Sequence, residues 1–315
     1  MKNVGVGVVG TGFWGENQVR VLRQNSFCNL VGVCDVDAAR AGQVGEKYGV
    51  RSFSSLDDFL RVNGLDAVTV CTPTRTHLDV GLRVLEKGLD LLVEKPLTGE
   101  VAGAERLIAS ARKAGRSLLV GFIERFNPGV RLVQEMLERK VVGDVMLATG
   151  RRVSRWPARI NDVGVVKDTA IHDVDVMRFL LGREVSAVYA QVGSLRHSFE
   201  DYAEIMLRFE GGPAGFVDAN WLTPRKVRSL IVTGSEATIN LDYISQEVTL
   251  EDSERLTRPF HAWDEPLRLE LENFARVVAG DREPSPSGQD ALAALRVCDA
   301  VLESGKTGRI VKPAG

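Results

Sequence analysis

The sequence contains few cysteines and few histidines, and their placement argues against two kinds of site. Its 315 residues include four of each. They are Cys28, Cys34, Cys71, Cys298, His77, His172, His197 and His261. Because no two cysteines form a Cys-x-x-Cys pair, small buried apolar side chains are a better interpretation than disulfides or metal ligands. Because the histidines are scattered along the chain, a multi-histidine metal site is not expected, and we predict no bound metal.

Long apolar runs and a large net charge are also lacking. No run approaches the roughly 20 apolar residues that span a bilayer. Lys2 precedes a short apolar run, as in a signal peptide, but glycines break this run and it is needed as the first strand. The net charge of −2 gives no general attraction to nucleic acid or to an anionic membrane. We therefore expect a soluble, cytoplasmic protein that acts on a small molecule, with no nucleic-acid or membrane partner.

The strongest pattern present is Gly10-x-Gly12-x-x-Gly15, which follows a valine-rich apolar run and precedes helical spacing. Gly10 allows a tight turn, Gly12 lets the backbone approach a pyrophosphate, and Gly15 lets the helix pack closely on the sheet. The helix N-terminus then presents unpaired N–H groups and the positive end of its dipole to phosphates. We predict a dinucleotide site here, with Phe13 and Trp14 as further contacts. The alternative is a tight turn that binds no ligand.

A second strand, over residues 30–34, ends at Asp35, which lies 20 residues after Gly15. At this distance an acidic side chain can bond both ribose hydroxyls of an adenosine, and its charge repels the 2′-phosphate of NADP. Arg40, one helical turn into the next element, can pair with such a phosphate, which keeps NADP open as a second cofactor. We therefore predict NAD as the cofactor, with Asp35 and Arg40 among its contacts.

Strands and helices alternate through residues 1–121, which predicts a parallel, doubly wound sheet in a Rossmann dinucleotide-binding domain. In such sheets the ligand binds at the carboxyl ends of the strands. Two further strands end at Thr72-Pro73 and at Glu94-Lys95-Pro96, so these segments are expected to join the cofactor crevice. Lys95 is well placed there for proton transfer. The alternative is an ordinary surface lysine at a turn.

A chain of this length suggests two domains, and the second half has a different pattern. Six strand candidates crowd between residues 184 and 250 without matching helices, which predicts a large, mostly antiparallel sheet. We assign residues 122–315 to this α/β domain for substrate binding and oligomerisation. Predicted helices after Pro128 and Asp168 can cover one face of the sheet, but nothing in the sequence obviously covers the other. A homo-oligomer, either a dimer or a tetramer, is therefore expected.

Asp168 and His172 are the candidate catalytic residues of the second half. Four residues apart on a helix predicted over residues 168–181, they would share one face. A carboxylate beside an imidazole can orient it, and histidine is the usual general base for a hydroxyl proton. The alternative is a helix cap and a half-buried histidine. Nearby arginines suit a diphosphate group, although a solvated strand edge explains them equally well. These arginines are Arg151, Arg152, Arg155 and Arg159.

Several motifs together resemble those of the Gfo/Idh/MocA oxidoreductases, over nearly the whole chain. They are Gly10-x-Gly12-x-x-Gly15, Asp35, Thr72-Pro73-x-x-x-His77, Glu94-Lys95-Pro96 and Asp168-x-x-x-His172-Asp173-x-Asp175. The resemblance implies a Rossmann domain, an α/β domain with an open-faced sheet, and NAD(P)-dependent redox chemistry on sugars or polyols. It implies that His172 is the acid/base, that Asp168 supports it and that Lys95 assists proton transfer. It also adds cofactor contacts at Thr72, Pro73, His77, Glu94 and Lys95.

Within the family, residues 121–128 and 152–164 look most like those of UDP-N-acetylglucosamine 3-dehydrogenases. This likeness implies substrate contacts at Arg125, Asn127, Arg152, Arg159 and Asn161. The expected activity is NAD-dependent oxidation of a secondary sugar hydroxyl, at the 3-position of a nucleotide sugar. Alternatives are a myo-inositol or free-sugar dehydrogenase, or a ketosugar reductase. A non-catalytic NAD(P)-binding sensor is the remaining hypothesis, but such a sensor has no need of the complete set of three candidate catalytic residues.

Overall fold

The structure, a computed structural model, describes residues 4–156 and 162–314. Arg159 and Asn161, two of the predicted substrate contacts, lie outside the described residues. The chain divides into two compact units, one formed by Met1–Ile123 with Glu265–Leu292 and the other by Glu124–Asp264 with Ala293–Gly315. The first change of unit lies close to the expected boundary after residue 121, but the return of residues 265–292 to the first unit was not expected. Among the described residues, no helix is long and apolar enough to cross a membrane.

The first unit contains a parallel sheet of six strands in the order β3-β2-β1-β4-β5-β6. Its strands are β1 (Val4–Val9), β2 (Cys28–Cys34), β3 (Arg51–Phe53), β4 (Ala67–Val70), β5 (Asp90–Glu94) and β6 (Leu118–Gly121). The strand order reverses at β1, which pairs with β2 on one side and β4 on the other. Ligands of doubly wound sheets bind at such a reversal, outside the carboxyl ends of the strands. The predicted Rossmann architecture is confirmed.

The described residues also form helices, some of which carry candidate site residues in their first turns. The helices are α1 (Phe13–Gln24), α2 (Ala38–Tyr48), α3 (Leu56–Phe59), α4 (His77–Glu86), α5 (Val101–Ala114), α6 (Pro128–Glu138), α7 (Ile171–Leu181), α8 (Pro266–Val278) and α9 (Gly288–Thr307). Apolar side chains explain why α8 belongs to the first unit. Leu271 and Phe274 of α8 are fully buried in one core with Val6 of β1 and Leu22 of α1. This pairing joins segments about 250 residues apart, which local sequence patterns do not report.

The second unit contains a sheet of eight strands in the order β14-β13-β12-β11-β7-β10-β9-β8. Its strands are β7 (Val145–Arg155), β8 (Val185–Gly193), β9 (Tyr202–Phe209), β10 (Ala214–Asn220), β11 (Leu222–Gly234), β12 (Thr238–Asp242), β13 (Val248–Glu251) and β14 (Leu256–Thr257). All neighbouring strands are antiparallel except β7 and β10, so the predicted mostly antiparallel sheet is confirmed. Helices α6 and α7 contact one face of this sheet.

The opposite face of the sheet carries a continuous row of partly or fully exposed side chains. Strand register places one residue from each of seven neighbouring strands in this row. The row is Tyr189, Met206, Phe216, Thr149, Ile231, Asn240 and Thr249. Tyr189 and Met206 are 44% and 48% exposed, whereas their strand neighbours Val188 and Leu207 are buried. Because side chains alternate between the faces of a sheet, this register places the four apolar and three polar side chains of the row on the same face.

The sequence pattern predicts a last helix over residues 289–304 that Gly305 ends, because glycine often follows the last helical residue, but helix α9 continues past this position. It continues to Thr307, and the left-handed residue that follows it is Gly308, with φ of 65°. A Cβ atom on Gly305 would lie only 2.6 Å from the side chain of Val192 on β8. Gly305 therefore allows a helix to approach a strand closely and does not end the helix.

Candidate active site

The glycine turn after β1 has the geometry that the sequence predicts. Gly10 has φ of +89°, and a Cβ atom on it would lie 2.7 Å from the backbone of Cys71. A Cβ atom on Gly15 would overlap the carbonyl oxygen of Gly10. By contrast, no described protein atom lies within 4 Å of the Cβ position of Gly12. Gly10 and Gly15 are thus required by packing, whereas Gly12 leaves open space beside the backbone.

Helix α1 begins at Phe13 directly after this open space. Its N-cap, Gly12, has extended backbone and supplies no side-chain cap for the first-turn N–H groups. Phe13 is 65% exposed, and its ring meets Trp14 edge-to-face at 5.7 Å between centroids. A helix start without a side-chain cap, next to an unobstructed glycine, fits the pyrophosphate of a dinucleotide.

Asp35, at the end of β2, contacts the glycine turn. Its Oδ2 accepts hydrogen bonds from Thr11 N at 2.7 Å and Thr11 Oγ1 at 3.0 Å, and its Oδ1 accepts one from Asp37 N at 3.0 Å. The guanidinium of Arg40 lies 3.7 Å from Asp35 and 3.3 Å from Asp37. Arg40, Gly12 and Phe13 line a cavity of about 390 Å³, to which Lys47 contributes a second cation. Asp35 therefore braces the turn from a position beside this cavity.

His77, at the start of α4, connects the two other predicted cofactor segments. Its Nε2 lies 2.8 Å from the carbonyl oxygen of Thr72, and its Nδ1 lies 2.9 Å from that of Pro96. Because both partners are acceptors, both hydrogen bonds form together only when both ring nitrogens carry protons. The ring is 1% exposed. Direct contact between His77 and the cofactor stays a prediction, and the geometry favours a brace between the two loops.

Glu94 ends β5 and is likewise held from within the first unit. The side-chain amide of Gln18, on α1, donates to Glu94 Oε1 at 2.8 Å. A Cβ atom on Gly121 of β6 would lie 3.0 Å from the same carboxylate. Lys95 follows, half-buried, and the Lys95–Pro96 peptide bond is cis. The strand ends thus present Glu94 and Lys95 from a tightly packed segment.

In the second unit, the sequence predicts that Asp168 and His172 lie on one regular α-helix, and the structure differs from this prediction. Asp168 lies in a π-helical turn, Val166–Ala170, and the α-helix begins only at Ile171. Ile171 N donates to Val166 O, a bond across five residues. The α-helix therefore starts three residues later than the expected residue 168, and a shared face for Asp168 and His172 stays a prediction. Single π-helical turns inside helices occur often at functional sites, which supports a functional role for Asp168.

Arg125 and Arg152 take part in buried ion pairs of the second unit. Arg152 donates to Asp173 Oδ2 and to Glu124 Oε1, both at 2.8 Å, and Arg125 bonds both carboxylate oxygens of Asp175 at 2.8 and 2.6 Å. The two arginines are only 2% and 4% exposed. Burial alone would lower the pKa of Arg152, but Asp173 and Glu124 raise it above its usual value. Arg152 is thus a buried cation held by two carboxylates.

Asn127, the third predicted substrate contact within the described residues, is also committed to the fold. Its Nδ2 donates to the carbonyl oxygen of Tyr243 at 3.0 Å, and its Oδ1 accepts from Gly129 N at 3.0 Å as the cap of α6. Substrate contact by Arg125, Asn127 and Arg152 stays a prediction, and their burial favours a positioning role. Arg151 does not join Arg152, because it points to the opposite face of β7 and pairs with Asp218 at 2.9 Å.

Family models match both halves of the chain. Residues 4–122 match a model described as an oxidoreductase family with an NAD-binding Rossmann fold, and residues 130–240 match the Gfo/Idh/MocA C-terminal domain. The chain belongs to the Gfo/Idh/MocA oxidoreductase family. The expected NAD-binding oxidoreductase is therefore confirmed, together with the family resemblance of the motifs.

Known dehydrogenases resemble this chain over nearly their full length. Inositol 2-dehydrogenase 3 of Saccharopolyspora erythraea is 28% identical and aligns over 99% of this chain and 96% of its own. The myo-inositol 2-dehydrogenase of Thermotoga maritima is 29% identical, with 98% of each chain covered. The structure of UDP-N-acetylglucosamine 3-dehydrogenase from Acidithiobacillus ferrooxidans has a TM-score of 0.88 at 25% identity and covers 96% of this chain and 98% of its own.

Some polar residues at this Gfo/Idh/MocA site were not predicted. The sequence gives a weak indication for Gln18, because helical spacing places this polar residue on the buried face of α1 with Gly15 and Leu22. It gives no indication for Thr169 and Trp221, because their hydrogen bond joins segments 52 residues apart. Only the fold makes such contacts visible.

Proposed function

We propose that this chain is an NAD-dependent dehydrogenase that oxidises a secondary hydroxyl of a sugar or polyol. The observation that carries the proposal is the π-helical turn that presents Asp168 one turn before His172. It is supported by a glycine turn that fits a dinucleotide and by the half-buried Lys95 at the end of β5. A sensor that only binds NAD would need the glycine turn but not this set of proton-transfer groups.

The proposed chemistry separates a hydride from a proton. NAD, when bound, supplies the acceptor for the hydride. His172 takes the hydroxyl proton as general base, and Asp168 supports the imidazole. Lys95 donates a hydrogen bond to the same substrate oxygen. In the first unit, the glycine turn and the N-terminus of α1 would hold the pyrophosphate, and Asp35 would accept hydrogen bonds from the adenosine ribose.

For the substrate, we propose a nucleotide sugar, such as UDP-N-acetylglucosamine, oxidised at its 3-position. The likeness of residues 121–128 and 152–164 and the structural similarity to a UDP-N-acetylglucosamine 3-dehydrogenase support this choice. The buried ion pairs of Arg152 with Glu124 and Asp173 remove one of the four arginines that suit a diphosphate. A free polyol is the second candidate, because two full-length relatives bear the name of inositol dehydrogenases.

A substrate panel tests the proposal. NADH formation is followed with UDP-N-acetylglucosamine, UDP-glucose, myo-inositol, scyllo-inositol and glucose, each with NAD, and a thermal-shift assay reports binding in parallel. We expect turnover of at least one compound, with the UDP-sugar fastest. Inositol turnover without UDP-sugar turnover would support the second candidate. Saturable NAD binding without turnover of any sugar or polyol would instead support the sensor.

We also propose that the protein is a homo-oligomer, a dimer or tetramer, formed through the exposed sheet face. Met206 and Ile231 of the row described above are 48% and 38% exposed, and exposed apolar side chains on a sheet favour contact with an identical face. Light scattering at micromolar concentration should give at least twice the mass of one chain. Met206→Lys with Ile231→Lys should yield monomers, whereas a monomeric unaltered protein would contradict the proposal.

A further inference from the structure

A hydrogen-bonded chain leads from a buried tryptophan to the candidate catalytic carboxylate. Trp221 lies between β10 and β11, and its Nε1 donates to Thr169 Oγ1 at 3.0 Å. Thr169 Oγ1 in turn donates to Asp168 Oδ2 at 3.2 Å. All three side chains are buried, with 3%, 9% and 8% exposure. The three residues belong to the second unit.

The chemistry of the three groups fixes the direction of this chain. An indole N–H can only donate, so the Thr169 oxygen must be its acceptor. The hydroxyl has a single proton, and the carboxylate of Asp168 can only accept when it is ionised. The hydroxyl proton is therefore directed from Thr169 toward Asp168. A donor aimed at a carboxylate stabilises the charged form over the neutral acid.

Trp221 is itself held from two sides. Its backbone N donates to the carbonyl oxygen of Asp201 at 2.9 Å. Its ring meets Trp156, from the end of β7, edge-to-face at 5.0 Å between centroids. These contacts fix the indole, so its N–H presents a constant donor to Thr169. A free surface indole would lose more conformational freedom on making the same bond.

We propose that Trp221 and Thr169 are positioning residues that orient Asp168 and keep it ionised for its action on His172. This inference rests on the proposed function, because it assigns no separate activity. It adds two residues to the machinery, neither of which is expected to touch the substrate.

Other charged groups surround the π-helical turn and must be held constant in any test. They are Arg228 of β11, His172 of α7, Lys167 within the turn and Glu200 before β9. Arg228 interacts electrostatically with Asp168, Glu200 accepts from Val166 N at 3.2 Å, and Lys167 pairs with Asp299 at 2.7 Å. The two hydrogen bonds from Trp221 to Thr169 and from Thr169 to Asp168 are called the relay below. Substitutions at Thr169 and Trp221 leave all of the surrounding charges in place, so a change in pH dependence reports the loss of the relay.

The test compares Thr169→Val, Thr169→Ser and Trp221→Phe. Thr169→Val removes the donor at nearly constant volume, which should lower kcat/KM about tenfold and move the acid limb of its pH profile up by about one unit. The limb moves up because a carboxylate that loses a donor is protonated at higher pH, and the neutral acid no longer supports His172 as the base. Thr169→Ser should restore both quantities. Trp221→Phe should act in the same direction but less, and should add nothing in a Thr169→Val background.

Two controls separate this proposal from a general loss of structure. Trp263→Phe alters a tryptophan that is 65% exposed and should change neither quantity. NAD affinity and thermal midpoint should stay close to the unaltered protein in Thr169→Ser. An unchanged acid limb in Thr169→Val, or full additivity of Thr169→Val and Trp221→Phe, would overturn the relay.

A titration without substrate distinguishes failure of the relay from failure of the proposed function. The ¹³C signal of the Asp168 carboxyl, assigned with Asp168→Asn, reports its protonation directly in the apo protein. A higher titration midpoint in Thr169→Val supports the relay even if no sugar is turned over. An unchanged midpoint alongside normal sugar oxidation refutes the relay and leaves the proposed function intact.

Discussion

The two units present their candidate functional groups by different means. In the first unit, the candidate groups belong to the backbone. Gly12 leaves space for a phosphate, and the first turn of α1 presents N–H groups that no side chain caps. In the second, the candidate groups are the side chains of Asp168, within the π-helical turn, and of His172, at the start of α7. A backbone site depends on local spacing, whereas a side-chain site depends on distant partners. The comparison teaches which half of an active site a sequence can reveal.

The buried charged residues of the two units also differ in their partners. In the first unit, Asp35 bonds mainly backbone and hydroxyl groups of the glycine turn. In the second, Arg152 is fully enclosed with Asp173 and Glu124, and breaking such a cluster leaves an uncompensated charge. We therefore expect substitutions in the first unit to alter cofactor binding, and substitutions in the second to alter chemistry or stability.

The largest expected effect follows from His172→Ala. Loss of the general base should lower kcat by about 10²–10⁴-fold, while NAD affinity changes little because the cofactor contacts lie in the other unit. Single-turnover hydride transfer and separate NAD titration measure the two quantities. Adding Asp168→Asn should cost less than the sum of the single effects, since Asp168 acts through His172. Near-normal turnover by His172→Ala would place the base elsewhere, with Lys95 as the next candidate.

The next effect distinguishes two neighbouring arginines on β7. Arg152→Met leaves Asp173 and Glu124 buried with only Arg228, 3.5 Å from Glu124, as a nearby cation among the described residues, and should lower the free energy of unfolding by about 3–5 kcal/mol. Arg151→Met removes an exposed pair with Asp218 and should cost less than about 1 kcal/mol. Chemical denaturation followed by tryptophan fluorescence measures both. Equal losses would mean that the buried network contributes no more than a surface ion pair.

A smaller effect is expected within the glycine turn. Gly12→Ala meets no described protein atom, so it should leave the thermal midpoint unchanged but weaken NAD binding about tenfold, as a methyl group enters the phosphate space. Gly15→Ala should instead lower the thermal midpoint, because its Cβ overlaps the Gly10 carbonyl. Calorimetry and NAD titration on both variants test this. Unchanged NAD affinity in Gly12→Ala would contradict a pyrophosphate at this position.

The sequence-based predictions succeeded where local spacing determines the outcome. The turn at Gly10 and the parallel sheet follow from periodicity and from the conformational freedom of glycine. Predictions failed where contacts with a distant segment determine the local structure. Helix α8 packs into the core of the first unit, and Gly305 lies inside a helix because it packs against Val192. The π-helical turn at Asp168 was not predicted either. Arg152 was also misjudged from the sequence. Its residue type and position suit a diphosphate, but the fold brings it against Asp173, 21 residues away in the chain.

The smallest expected effect concerns the choice between NAD and NADP in the first unit. Asp35 should disfavour a 2′-phosphate, and Arg40, whose side chain is 51% exposed and 3.7 Å from Asp35, should partly offset that repulsion. Because exposed ion pairs are weak, Arg40→Ala should lower kcat/KM with NADP only by about two- to fivefold, and with NAD by less than about twofold. Steady-state kinetics with both cofactors measure the ratio, with Arg83→Ala on α4 as a control arginine of the same unit. An unaltered protein that prefers NADP would mean that Asp35 serves the glycine turn alone, as its bonds to Thr11 already permit.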